Sequence, residues 1–98
     1  MYGLIAKLTT ADGRRDELIQ ILMDAARGMA GCHSYIVARD AGDENVVWVT
    51  EVWDSAASHD ASLSLPAVQK AIPRAKAVVS SFEKVAVTEP AGELGSWR

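Results

Sequence analysis

The order of apolar and polar positions along the chain predicts four strands and three helical segments. Four runs rich in β-branched and aromatic residues have the composition of strands, and they occupy residues 2–8, 32–39, 46–53 and 82–88. Between the first two runs, apolar residues recur at the spacing of one helix face, namely Leu18, Leu22, Ala25 and Met29. A short helix capped by Asp54 or Ser55 follows the third run. A third helix then begins at Pro66, which gives the order β-α-β-β-α-β with the second helical region divided in two.

Capping and helix-breaking residues set the predicted ends of these helices. Asp12 is placed to cap the first helix, and Gly28 and Gly31 are placed to end it. Pro66 suits the first turn of the third helix. Pro73, in contrast, is expected to break or kink that helix, because proline lacks a backbone N–H and clashes with the preceding turn.

The third strand is apolar on both of its faces. Alternation along the strand places Val46, Trp48 and Val52 on one face and Val47, Val49 and Trp53 on the other. Two helical layers of this length can cover one face of a four-stranded antiparallel sheet. We therefore predict an α+β fold with helices on one face and a homodimer in which the other sheet faces pack together.

Size and charge restrict the class of protein further. The 98 residues suffice for one domain, which we place at 1–89, followed by a C-terminal arm at 90–98. Trp97 on this arm either reaches the partner subunit or belongs to a flexible tail.

A net charge of −3 without a basic block argues against nucleic acid as a partner. No apolar run approaches the ~20 residues that cross a bilayer. The single cysteine and the absence of a secretory signal lead us to expect a cytoplasmic protein.

Three short motifs, taken in order, resemble those of the antibiotic biosynthesis monooxygenase family. The first is Gly31-Cys32-His33-Ser34-Tyr35 at the entry to the second strand, and the second is Glu51-Val52-Trp53-Asp54-Ser55 at the end of the third. The third comprises the helix at 58–63 and the turn at 65–68. The resemblance extends from about residue 2 to residue 89.

This resemblance implies a fold and an activity. The fold would be ferredoxin-like, with two subunits forming a dimeric α+β barrel and a pocket in each subunit between sheet and helices. The activity would be oxidation of quinol-like or polycyclic phenolic substrates by molecular oxygen, without metal, flavin or other cofactor. Many family members carry a histidine nine residues after the third-strand tryptophan, where this chain has Ser62, whereas its own histidine, His59, comes six residues after Trp53.

The candidate site residues follow from this family resemblance and from helix geometry. His59 shares a helix face with apolar neighbours, so we expect it to point toward the sheet and act as the base that takes a phenolic proton. Trp53 would form the adjacent wall. The predicted substrate-binding residues are Tyr35, Leu63, Val68 and Ile72. Glu51 is a charge in an apolar strand and needs either a partner or an exposed position. We favour a structural pairing with Arg39 or Lys7 on a neighbouring strand.

Other functions are weaker but remain open. One is a non-enzymatic dimeric module that binds a small aromatic or apolar ligand. Another is a haem-degrading monooxygenase, although the first strand lacks that branch's asparagine and Ser62 stands where its tryptophan would lie. A metal site is not expected, because Cys32, His33 and His59 lack the spacing of a ligand set. No Gly-flanked nucleophile of a serine hydrolase is present.

Overall fold

The computed structural model describes residues 1–92, which form a four-stranded antiparallel sheet and three helices. The strands are β1 (Tyr2–Thr10), β2 (Cys32–Arg39), β3 (Val46–Trp53) and β4 (Val79–Thr88), in the spatial order β2-β3-β1-β4. The helices are α1 (Arg15–Ala25), α2 (Ala56–Ser62) and α3 (Pro66–Val78). The predicted element order and the ferredoxin-like α+β fold are confirmed. Trp97 and most of the predicted arm lie outside the described residues.

Two local predictions about the helices were wrong: the break in α3 at Pro73 and the cap on α1 from Asp12. Helix α3 is one continuous helix through Pro73, because its apolar residues pack onto the core and tertiary packing outweighs local propensity. Helix α1 has no side-chain cap from Asp12. The Asp12 carboxylate instead accepts a hydrogen bond from the Asn45 side-chain amide, whose oxygen in turn accepts one from the Gly13 backbone N–H. Asn45 thereby ties the start of α1 to the β2–β3 loop.

The core lies between one face of the sheet and helices α1 and α3. Its buried members come from β1, α1, β3 and α3, and they are Ala6, Leu8, Leu18, Ile21, Val47, Val49 and Val78. Strand alternation places Glu51 and Trp53 on this same helix-facing side. Antiparallel pairing sets Tyr35 opposite Glu51, so polar and aromatic side chains meet at the end of the core.

On the opposite side of the sheet, which we call the open face, none of the helices in residues 1–92 lies over the strands. Ile36 is 49% exposed there, and Trp48 and Val52 are partly exposed. Polar groups interrupt the apolar surface, because the Trp48 indole N–H donates to Asp40 Oδ1 at 2.7 Å and Lys7 lies over its ring. The indole bond, with two backbone N–H bonds, holds the pKa of Asp40 at about 2. None of the helices within the described residues is long and apolar enough to cross a membrane.

Candidate functional site

A cavity of about 140 Å³ lies at the end of the core, between β2, β3 and the three helices. All six predicted site residues line it: Tyr35, Trp53, His59, Leu63, Val68 and Ile72. Small side chains on α1 and α3 provide further walls, among them Ala25, Ala71 and Ala75. The structure therefore brings the predicted residues together in one mainly apolar chamber, although they come from four different elements.

Helix α2 begins at a capped turn that aims His59 at the cavity. Ser55 caps it by accepting a hydrogen bond from the Ser58 backbone N–H at 3.1 Å, as a serine at this position commonly does. One residue later, His59 lies with its ring 5.5 Å from the ring of Trp53 in an edge-to-face arrangement, and 5.5 Å from Tyr2. Its side chain is 17% exposed. The imidazole is therefore packed between two aromatic rings, as expected for a cavity residue.

The sequence led to the wrong partner for Glu51. The expected ion pair with Arg39 or Lys7 is absent from the described residues: Arg39 bonds Asp16 at the surface at 3.0 Å, and Lys7 lies on the open face. Glu51 is instead buried at 8% exposure and lines the cavity. The sequence did contain a signal for this position. Residues two apart on a strand point to the same face, so the Glu51 side chain must lie on the same face as Trp53.

The carboxylate of Glu51 contacts an aromatic donor and an imidazole. Trp53 Nε1 donates to Glu51 Oε1 at 2.9 Å, and His59 Nε2 lies 3.9 Å from the same oxygen. Burial raises the pKa of Glu51, while the indole hydrogen bond and His59 oppose that shift. The result is a polar acid–base wall on an otherwise apolar chamber.

Tyr35 and Ser62 complete the polar groups of the cavity. Burial raises the pKa of the Tyr35 phenol, and the neighbouring Glu51 adds to the effect, so this phenol stays neutral at physiological pH. Ser62 is buried and donates its hydroxyl to the backbone carbonyl of His59 at 2.6 Å, which fixes the end of α2. Across residues 1–92, no group of three or more histidine, cysteine or acidic side chains is arranged to hold a metal ion.

Comparison with known proteins identifies related sequences and folds. The family model for antibiotic biosynthesis monooxygenases matches residues 1–74. A candidate antibiotic biosynthesis monooxygenase from Chloroflexus aurantiacus J-10-fl is 48% identical over 96% of each chain, with a TM-score of 0.92. A second candidate, from Deinococcus radiodurans, is 24% identical over 100% of each chain with a TM-score of 0.79. A third, from Nitrosomonas europaea, shares the fold at 9% identity and a TM-score of 0.84, over 94% of this chain and 100% of its own. No curated protein matches the sequence.

Proposed function

The chain belongs to the antibiotic biosynthesis monooxygenase family, and from this premise we propose that it oxidises a single-ring, quinol-like phenol with molecular oxygen, without metal or flavin. The observation that carries the proposal is the cavity itself. Its walls are mainly apolar, and the buried Glu51 and His59 face each other at one side. An apolar chamber with one acid–base pair suits a flat, electron-rich substrate that must lose a proton.

The proposed reaction begins with the phenolic proton. A phenol has a pKa near ~10, as tyrosine does, so a neighbouring base is needed to form the phenolate at neutral pH. The phenolate then supplies electrons to oxygen. For a hydroquinone the products are a hydroxylated quinone and water: one oxygen atom enters the ring, and the other leaves with two hydrogen atoms.

The volume of the cavity favours a single ring over a polycyclic substrate. A dry apolar cavity of about 150 Å³ holds one benzene molecule, and the cavity here is of similar size at about 140 Å³. A three-ring phenol would need the α3 wall to move outward. Ala71 and Ala75, which face the cavity from α3, determine how much room the substrate has.

We expect purified, metal-stripped protein to consume oxygen above the autoxidation rate with single-ring hydroquinones and much less with anthrone-like three-ring phenols. Ala71→Leu adds bulk to the cavity and should suppress the uptake. Ala67→Leu is the matched control, because Ala67 lies one turn earlier on α3 and is exposed. An oxygen electrode measures the rate, and heavy-isotope oxygen recovered in the quinone identifies a monooxygenase.

Two outcomes would contradict this proposal. Equal uptake by Ala71→Leu and wild type would place the reaction outside the cavity. No uptake with any phenol, while single-ring phenols still bind, would favour a non-enzymatic ligand-binding module instead.

We also propose that the protein is a homodimer joined through its open faces. The support is the apolar surface formed by Ile36, Trp48 and Val52, which none of the three described helices covers. Exposed apolar patches of this kind commonly mark association sites. A second copy offers the same patch, so the contact would be isologous with two-fold symmetry.

The variant Ile36→Lys is expected to convert the dimer to a monomer, because it places a charge on the proposed contact without touching the core. Met23→Lys is the matched control: Met23 is 46% exposed, comparable to Ile36 at 49%, but lies on helix α1 on the other side of the sheet. Light scattering after size-exclusion chromatography gives the mass of each. A monomeric wild type, or two variants of equal mass, would contradict the open-face dimer.

A further inference from the structure

We propose that Glu51 is the catalytic base of this site: its free carboxylate oxygen accepts the phenolic proton, and His59 is a positioning residue beside it. This inference rests on the proposed oxidation of a phenol and names the group that performs its first step. It also reverses the role expected from the sequence, in which His59 took the proton and Glu51 was structural.

The two oxygens of Glu51 are in different situations. Oε1 accepts the Trp53 indole N–H at 2.9 Å and faces His59 Nε2 at 3.9 Å. Within residues 1–92, no hydrogen bond reaches Oε2, and no fully buried side-chain oxygen or nitrogen lacks a partner. It follows that Oε2 has an accessible surface. Glu51 lines the cavity, and we infer that this oxygen is the one that a ligand in the cavity contacts.

The Glu51 carboxylate has almost no positive charge near it. No lysine or arginine within residues 1–92 forms an ion pair with it, and His59 is the one potential cation nearby, at a distance too long for a hydrogen bond. The other elements packed around the carboxylate present Tyr35 from β2 and Trp53 from β3, neither of which is charged. A carboxylate held in such surroundings is costly to stability, and burial raises its pKa toward the working range of a general base.

His59 is better placed to position the Glu51 side chain than to accept the phenolic proton itself. Its ring is fixed between Tyr2 and Trp53. Its Nε2 is directed at the oxygen that Trp53 already holds, and its Nδ1 lies 3.5 Å from Asp60 Oδ1 at the surface. Both ring nitrogens therefore face carboxylates, which leaves Oε2 of Glu51 as the free acceptor.

The bonds and hydrogen atoms of the proposed proton transfer are accounted for as follows. The phenolic O–H bond breaks, its electron pair stays on the phenolate oxygen, and the proton forms a bond to Glu51 Oε2. The neutral carboxylic acid then returns the proton to the oxygen atom that leaves as water, after the phenolate has supplied electrons to molecular oxygen. The second hydrogen of that water comes from the ring carbon that is oxygenated, whose C–H bond breaks as the new C–O bond becomes part of the quinone.

The test compares Glu51→Gln with His59→Asn. Glutamine retains the length of the side chain and an oxygen for the Trp53 N–H, but its amide cannot accept the proton. We expect kcat for a single-ring hydroquinone to fall by about 10²-fold or more in Glu51→Gln, with a smaller loss in His59→Asn. Glu83→Gln, an exposed change on β4, controls for the altered net charge. Full activity in Glu51→Gln, or a larger loss in His59→Asn, overturns the proposal.

A binding measurement without oxygen chemistry separates this inference from the proposed function. The probe is para-nitrophenol, which is too electron-poor to be readily oxidised and whose phenolate absorbs visible light. At a pH where the free probe is mostly neutral, we expect the wild type and His59→Asn to develop the phenolate band on binding and Glu51→Gln not to do so. A wild type that lacks the band, or a Glu51→Gln variant that retains it, overturns the role of Glu51. The expected bands without oxygen uptake on any quinol would leave Glu51 as the base and remove the monooxygenase function.

Discussion

Replacement of Trp53 by alanine is expected to lower the free energy of unfolding by about 3 to 5 kcal/mol, the range measured for large buried aromatic residues. Trp53 is 0% exposed and is the largest of the fully buried side chains in the described chain. Its removal leaves a void beside the cavity and deprives Glu51 Oε1 of its indole donor. Folded domains have a total stability of about 5 to 15 kcal/mol, so this loss is a large fraction of the free energy of unfolding.

The control for this prediction is Phe82→Ala. Phe82 is an aromatic residue on β4 that is 60% exposed and lies outside the proposed dimer contact, so its loss should be clearly smaller. Chemical denaturation of both variants, followed by circular dichroism at equal protein concentration, measures the difference. Equal losses for the two variants would mean that Trp53 is not a core residue of the folded protein.

The second large effect is expected at Gly31, where alanine should cost about 2 to 5 kcal/mol of stability. About 1 to 2 kcal/mol comes from the left-handed backbone, φ +82°, which side chains other than glycine rarely adopt. About 1 to 3 kcal/mol more comes from overpacking, because a Cβ at this position would lie 2.8 Å from the Cβ of Ser58 and from Asp54 Oδ1. Ser58 precedes His59, so the start of α2 must shift and catalysis should fall as well.

Alanine variants of two other glycines measure the cost of backbone strain without the cost of a steric contact. Gly13 and Gly28 also have positive φ, at 75° and 68°, but a Cβ at either would meet nothing within 4 Å. Alanine at these positions should cost only about 1 to 2 kcal/mol and leave oxygen uptake unchanged. Thermal and denaturant unfolding of the three variants provides the comparison. Equal losses at Gly28 and Gly31 would show that the contact with α2 does not matter.

Most of the fold was predictable because the strands have strong local signals. Strands β2 and β3 begin and end where the sequence indicated, since glycine or polar loops bound each apolar run. Strand β4 begins at Val79, three residues earlier than predicted. Helix α3 passes into β4 without a loop, so no turn residue marks the boundary, and Val79 continued the helical apolar pattern.

The residues of the candidate cavity could be named from the sequence, but their electrostatics could not. Helix spacing is a local rule, and it sufficed to direct His59 toward the sheet. That His59 and Trp53 line the same cavity depends on the fold and is seen only in the structure. The partner of Glu51 depends on the register between strands, which the sequence does not give. In the structure Glu51 lies opposite Leu4 and Tyr35, and the lysine assigned to it pairs with Trp48 across the other face.

The strand order also affects how the protein is made. Strand β1 lies inside the sheet between β3 and β4, yet these two neighbours leave the ribosome at different times. Within residues 1–92, the residues that line the cavity all precede β4 in the chain. The pairing of β1 with β4, in contrast, joins Gly3 to Thr88 and is strongly non-local. Until β4 docks, one edge of β1 is unpaired and open to strands of other chains. Nascent chains should therefore be most prone to aggregation when the site is fully synthesised but the sheet still lacks its last strand.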